Sequence, residues 1–71
     1  MAWHIRIGKL SWCKSPYALR EDLFMVAREE GIVLTCCHID RAKAQKMVEC
    51  LQLHGIDFAR VVEGMCNEAD V

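Results

Sequence analysis

The sequence lacks the short patterns that identify most enzymes and cofactor-binding proteins. Its four glycines occur singly, so they form no glycine-rich phosphate loop, and there is only one proline. Aromatic residues make up 7% of the chain, and no strand-like segment carries the exposed aromatic pair that stacks on RNA bases. We therefore predict a protein that is not an enzyme, uses no cofactor and does not bind nucleic acid directly.

Neither charge nor hydrophobicity forms a long run. The formal net charge is −1, which gives no overall attraction to nucleic acid or to an anionic membrane. No apolar run reaches the roughly 18 residues that a membrane-spanning helix needs. The first residues alternate between apolar and polar and do not form the apolar block of a signal peptide. We expect a cytoplasmic protein without a membrane partner.

The chain does have enough apolar residues for a folded core. It contains 71 residues, of which 54% are hydrophobic, so residues 1–71 are predicted to form one domain. Three β-rich segments predict the strands of an α/β sheet. Residues 2–8 alternate and predict a half-buried strand at an edge, the apolar run 32–39 between Gly31 and Asp40 predicts a central strand, and residues 56–63 predict the last strand.

Two helical patterns separate these segments, which gives the order β-α-β-α-β. The first covers residues 17–30, begins after Ser15 and Pro16, and ends at Gly31. The second begins at Asp40, a favourable N-cap residue. Because the connections around the second helix are short, we predict that the middle and last strands are parallel, with both helices on one face of a three-stranded sheet. The second helix carries the apolar stripe Ala44, Met47, Val48 and Leu51, and the residues expected to be most deeply buried are Leu34, Val48, Leu51 and Phe58.

Five cysteines are many for this length, but they show no Cys-x-x-Cys spacing and their number is odd. Cys50 and His54 are four residues apart on the second helix, a spacing that could place two metal ligands on one face. Further ligands would have to come from Cys36, Cys37 or His38 on the neighbouring strand. Packing of reduced thiols in the core explains the pattern better, so we predict no metal site.

Acidic residues are concentrated in two segments. Residues 21–30 and residues 56–71 each contain four acidic residues against one arginine, a net charge of −3 each. Such a surface can steer and orient a basic protein partner, although a helix face exposed only to water has the same composition. The candidate partner-binding residues are Glu21, Asp22, Glu29, Glu30, Asp57, Glu63, Glu68 and Asp70.

Two other functions remain open. The cysteines and histidines could belong to a small redox or metal-handling protein that depends on thiols or zinc. The first 20 residues carry a local charge of +4 and could serve a small nucleic-acid-binding regulator. These basic residues are Arg6, Lys9, Lys14 and Arg20.

Over its full length, from the opening segment MAWHIRIGKL to the tail, the chain resembles the small phage-encoded anti-CRISPR proteins. The resemblance points to inhibitors of a type I CRISPR–Cas system, such as type I-C. It implies a non-enzymatic protein in the cytoplasm of an infected bacterial host, whose partner is a subunit of the Cas surveillance complex. It further implies that the inhibitor keeps that complex from engaging target DNA, in part through an acidic surface. No catalytic residues follow from the resemblance.

Overall fold

The computed structural model describes residues 2–66 and shows a small α/β fold with a four-stranded antiparallel sheet and two helices. The strands are β1 (Trp3–Ile7), β2 (Leu10–Ser11), β3 (Cys37–His38) and β4 (Ala59–Glu63). The helices are α1 (Glu21–Glu30) and α2 (Arg41–Leu53). Within residues 2–66, no helix is long and apolar enough to cross a membrane.

β1 is the centre of the sheet, although its sequence predicted an edge strand. It pairs with β4 along its whole length, from Trp3 opposite Glu63 to Ile7 opposite Ala59. Because a strand has only two edges, β2 and β3 share the other one: β2 pairs with the last two residues of β1 and β3 with the first two. Alternation reports which face of a strand is buried, and it does not report how many neighbours the strand has.

The predicted central strand over residues 32–39 is reduced to the two residues of β3. Burial still alternates from Ile32 to Cys36, so this segment is extended, but only the Cys36 carbonyl reaches β1, where it accepts a hydrogen bond from Ile5 N at 3.2 Å. The β1–β2 hairpin already occupies the remaining part of that edge. The segment therefore packs as a loop after it leaves β3.

The expected parallel pair is also absent from the described residues. β3 and β4 are both antiparallel to β1, so they run in the same direction, but β1 lies between them. The segment β3-α2-β4 thus crosses over one intervening strand, which is a split β-α-β unit. The short connections around α2 correctly predicted that β3 and β4 run in the same direction. They did not predict that β1 lies between the two strands.

The helices begin and end for identifiable local reasons. Asp40 caps α2 by accepting a hydrogen bond from Ala42 N at 2.9 Å, and Gly31 ends α1 in the left-handed conformation (φ 71°), as the sequence predicted. The first helix starts later than predicted, because Pro16–Leu19 forms a separate 3₁₀ turn and Arg20 is extended. Acidic residues in the first turn of α1 favour this new N-terminus.

The core lies between the helices and one face of the sheet. The predicted stripe on α2 is confirmed, since all four of its residues are buried. Leu34 is only half-buried, and Phe58 is 51% exposed, so its predicted burial is wrong. The turn that precedes β4 places Phe58 on the surface against the Tyr17 ring, with 6.3 Å between ring centroids. The core consists of Ile5, Ile7, Trp12, Leu23, Ala44, Met47, Val48, Leu51, Ile56 and Ala59.

Candidate functional site

Three cysteines from distant parts of the chain form a cluster at the rim of the sheet. The Sγ atoms of Cys13, Cys36 and Cys66 all lie within 4.8 Å of one another. Cys13 is exposed, and the other two are half-buried. We call these three residues the cysteine cluster. Within residues 2–66, it is the only group of three or more Cys, His, Asp or Glu side chains whose geometry suits a metal ion.

A different structural element positions each cysteine of the cluster. Cys13 belongs to the 3₁₀ turn Trp12–Lys14, which the buried Trp12 ring anchors and which Ser15 closes by donating Oγ–H to the Trp12 carbonyl at 2.7 Å. Cys36 immediately precedes β3. Cys66 follows β4, where Gly64 N donates to the carbonyl of Ala2 at 2.8 Å and brings the chain back to the start of β1.

Neighbouring polar groups contact the sulfurs of this region. Ser11 Oγ lies 3.5 Å from Cys13 Sγ, and the backbone N–H of Cys66 donates to Cys37 Sγ at 3.4 Å. Cys37 therefore adds a fourth sulfur beside Cys66. Hydrogen bonds of this kind stabilise thiolate sulfur and are common around metal-bound cysteine.

The local environment shifts the pKa values of the three cluster thiols in different directions. Hydrogen bonds from the Cys36 thiol and from Ser11 lower the pKa of Cys13, whereas burial, followed by the same contact with Cys13, raises the pKa of Cys36. The Cys36 contact lowers the pKa of Cys66, but burial and Cys37 outweigh it and leave that pKa raised. Negative charge in the cluster is thus most stable on Cys13, which is also the solvent-accessible sulfur.

The structure does not assemble the metal pair that the spacing of Cys50 and His54 suggested. Cys50 is buried on α2, and burial, with a further contribution from Glu30, raises the pKa of its thiol. His54 Nδ1 donates to the Cys50 carbonyl oxygen at 2.8 Å, so the imidazole binds the helix backbone. His38 is buried with its Nε2 3.3 Å from Met47 Sδ. The spacing of Cys13 and Cys66 along the sequence did not predict a common site, because only the tertiary fold brings these two residues together.

His4 alternates with the apolar residues of β1 and so belongs to its polar face, yet its side chain is 1% exposed. Its Nδ1 donates to the Gly64 carbonyl at 2.9 Å, whereas Nε2 is buried without a hydrogen-bond partner among residues 2–66. The segment that follows β4 therefore covers this part of the second face of the sheet. Sequence alternation correctly separated the two faces but gave no sign that the second one is also covered.

The acidic residues predicted on the first helix are all exposed on α1. Asp22 forms a salt bridge with Arg20, in which Nη2 lies 2.5 Å from Oδ2 and Nε lies 3.1 Å from Oδ1. The guanidinium group holds the pKa of Asp22 below its usual value. Asp22 therefore contributes less to an acidic surface than its charge suggests. The other three residues of this group are Glu21, Glu29 and Glu30.

The second acidic segment lies outside α1. Asp57 is exposed in the turn before β4, and Glu63 is exposed at the end of β4. Glu68 and Asp70, which were predicted to extend this surface, lie outside the described residues. The acidic surface supported by the described residues is therefore centred on α1.

Apolar side chains share the exposed side of α1 with these carboxylates. Glu21, Met25 and Glu29 are spaced four residues apart and form one row along the helix. Met25 is 65% exposed and Phe24 is 41% exposed, and a depression of about 300 Å³ is lined by Glu21, Phe24, Met25 and Arg28. We call Glu21, Phe24, Met25, Arg28 and Glu29 the α1 surface.

Two of the four basic N-terminal residues, Arg6 and Arg20, are engaged locally. Arg6 donates a hydrogen bond to the Lys9 carbonyl, and Arg20 is bound to Asp22. These contacts give the basic residues structural roles in a turn and at the start of a helix.

Comparison of the chain with family models, curated proteins and solved structures gives no match. The α1 surface and the cysteine cluster are the two features of residues 2–66 that bear on function.

Proposed function

We propose that this protein acts without catalysis, by binding a basic protein surface through α1. The observation that carries the proposal is the row on α1 in which the exposed Met25 lies between Glu21 and Glu29. Methionine and aromatic side chains are enriched at the centres of protein interfaces, and methionine adapts to differently shaped partners. Carboxylates at the rim would accelerate association with a basic partner and fix its orientation.

The resemblance to small anti-CRISPR proteins supplies the partner that we propose, a subunit of a type I CRISPR–Cas surveillance complex such as type I-C. Grooves that bind nucleic acid are lined with lysine and arginine. An acidic helix with an apolar centre would therefore compete with DNA for such a groove. The net charge of −1 favours a local contact through α1 over mimicry of DNA by the whole surface.

Charge reversal on α1 tests this proposal. We expect Glu21→Lys/Glu29→Lys to slow association with a type I surveillance complex and to abolish inhibition of DNA binding, because both rim charges would then repel the partner. The control Gln45→Lys/Glu49→Lys adds positive charge at exposed positions of α2, away from the candidate partner-binding residues. Both variants avoid Asp22, whose salt bridge with Arg20 belongs to the start of the helix.

Binding kinetics at several salt concentrations give the readout, and circular dichroism checks that each variant is folded. The parent protein should associate more slowly as salt increases, whereas the α1 variant should associate faster, because salt screens the repulsion between its lysines and the basic partner. Met25→Ala should accelerate dissociation while leaving the salt dependence of association unchanged. The proposal is wrong if the parent does not bind the complex, or if the α1 variant inhibits as well as the parent.

A further inference from the structure

We propose that Cys13, Cys36 and Cys66 form a binding site for Zn²⁺. Their Sγ atoms lie within 4.8 Å of one another, so small side-chain rotations would bring all three to the roughly 2.3 Å Zn–S distance of protein sites. This site is independent of the α1 surface, and either proposal can fail without the other.

The donor set selects the type of metal. All three donors are sulfur, and soft thiolate ligands favour zinc and other thiophilic ions over magnesium or calcium, which prefer oxygen. Cys37 places a further sulfur beside Cys66 and receives the N–H of that residue. A three-thiolate site leaves one position of the tetrahedron for solvent.

Binding of Zn²⁺ at the cluster would exchange thiol protons for the metal ion. When Zn²⁺ binds, three S–Zn bonds form, the protons still held by the thiols pass to solvent, and no electron is transferred. Exposure of Cys13 gives the ion a route into the site.

A disulfide explains the cluster less well than a metal ion does. A disulfide would use two of the sulfurs and leave the third unpaired, whereas a metal ion uses all three. The three cysteines also join the 3₁₀ turn after β2, the segment before β3 and the segment after β4, which are separated by 23 and 30 residues. Small domains often depend on such a metal link, because their cores are too small to provide a large stability margin.

Titration of the full chain with Co²⁺ under reducing conditions tests the site. Co²⁺ replaces Zn²⁺ in thiolate sites and gives a thiolate-to-metal charge-transfer absorption band. We expect this band to saturate at one Co²⁺ per chain and to disappear when Zn²⁺ is added. We also expect Zn²⁺ to raise the melting temperature and to slow alkylation of the exposed Cys13.

Cysteine variants assign the band to the cluster. Cys13→Ser and Cys66→Ser should lose it while circular dichroism shows a folded protein, and Cys50→Ser should retain it because Cys50 lies outside the cluster. Cys13→Ser is the decisive variant, because its exposed side chain can change without disturbing the core. The inference is overturned if the parent gives no thiolate band, or if the band survives in Cys13→Ser and Cys66→Ser.

Discussion

Leu51 and Leu53 are two positions apart on α2, yet only Leu51 belongs to the core. Leu51 has no exposed surface, whereas Leu53 is 78% exposed. Leu51→Ala should reduce the free energy of unfolding by about 2–5 kcal/mol, because it removes buried methyl groups and leaves a cavity. Urea denaturation monitored by circular dichroism measures the loss. Leu53→Ala is the matched control and should change stability by about 0.5 kcal/mol or less; similar losses in both variants would contradict this placement of α2.

Single residues also show what the sequence could predict. The stripe on α2 was predicted correctly, because helical periodicity directly reports the buried face of a helix. The burial of Phe58 was predicted wrongly because a turn places this residue on the surface, and the burial of His4 could not be predicted because it depends on the residues after β4. The same limit applies to the cysteine cluster, because spacing along the chain reports only ligands that lie on one local element.

At the scale of elements, the start of α2 depends on one side chain. Asp40 accepts a hydrogen bond from Ala42 N, and α2 supplies five buried residues to the protein interior. Asp40→Ala should therefore lower the free energy of unfolding by about 1 kcal/mol, whereas Asp40→Asn should preserve most of the stability because asparagine caps helices equally well. Chemical denaturation of both variants compares them. Equal stability of Asp40→Ala and the parent would show that the cap is dispensable.

β3 shows why strand prediction failed at the same scale. The run from Ile32 to Ile39 has the composition of a buried strand, and its burial alternates as an extended chain should. Pairing, however, requires a free edge, and β2 already pairs with Arg6 and Ile7 on the edge of β1 that β3 uses. Composition thus predicted the local conformation correctly, while competition between strands determined the length of the pairing.

At the scale of the whole molecule, stability should depend on the charge of His38. Burial lowers the pKa of this imidazole, with a smaller effect from Lys43. The unfolded chain, with a histidine pKa of about 6.5, therefore binds a proton more readily than the folded protein. The part of the free energy of unfolding that depends on neutral His38 should therefore be present above about pH 6.5 and should be lost as the pH falls below that value.

Urea denaturation between about pH 5 and pH 8 measures this dependence. We expect the free energy of unfolding to rise with pH in the parent and to rise less steeply in His38→Gln. If His38→Gln retains the slope of the parent, another group causes the pH dependence.

The central position of β1 has a consequence for how the protein folds during synthesis. β1 and β2 are joined by a two-residue turn, and a hairpin of this kind forms in about 1–10 μs. The partner on the opposite edge, β4, begins 52 residues after the end of β1, and a ribosome adds about 5–20 residues per second. For several seconds, β1 is therefore without its full-length partner, and Ile5 and Ile7 are uncovered. During that interval, chaperone binding or mispairing with another nascent chain would compete with completion of the sheet.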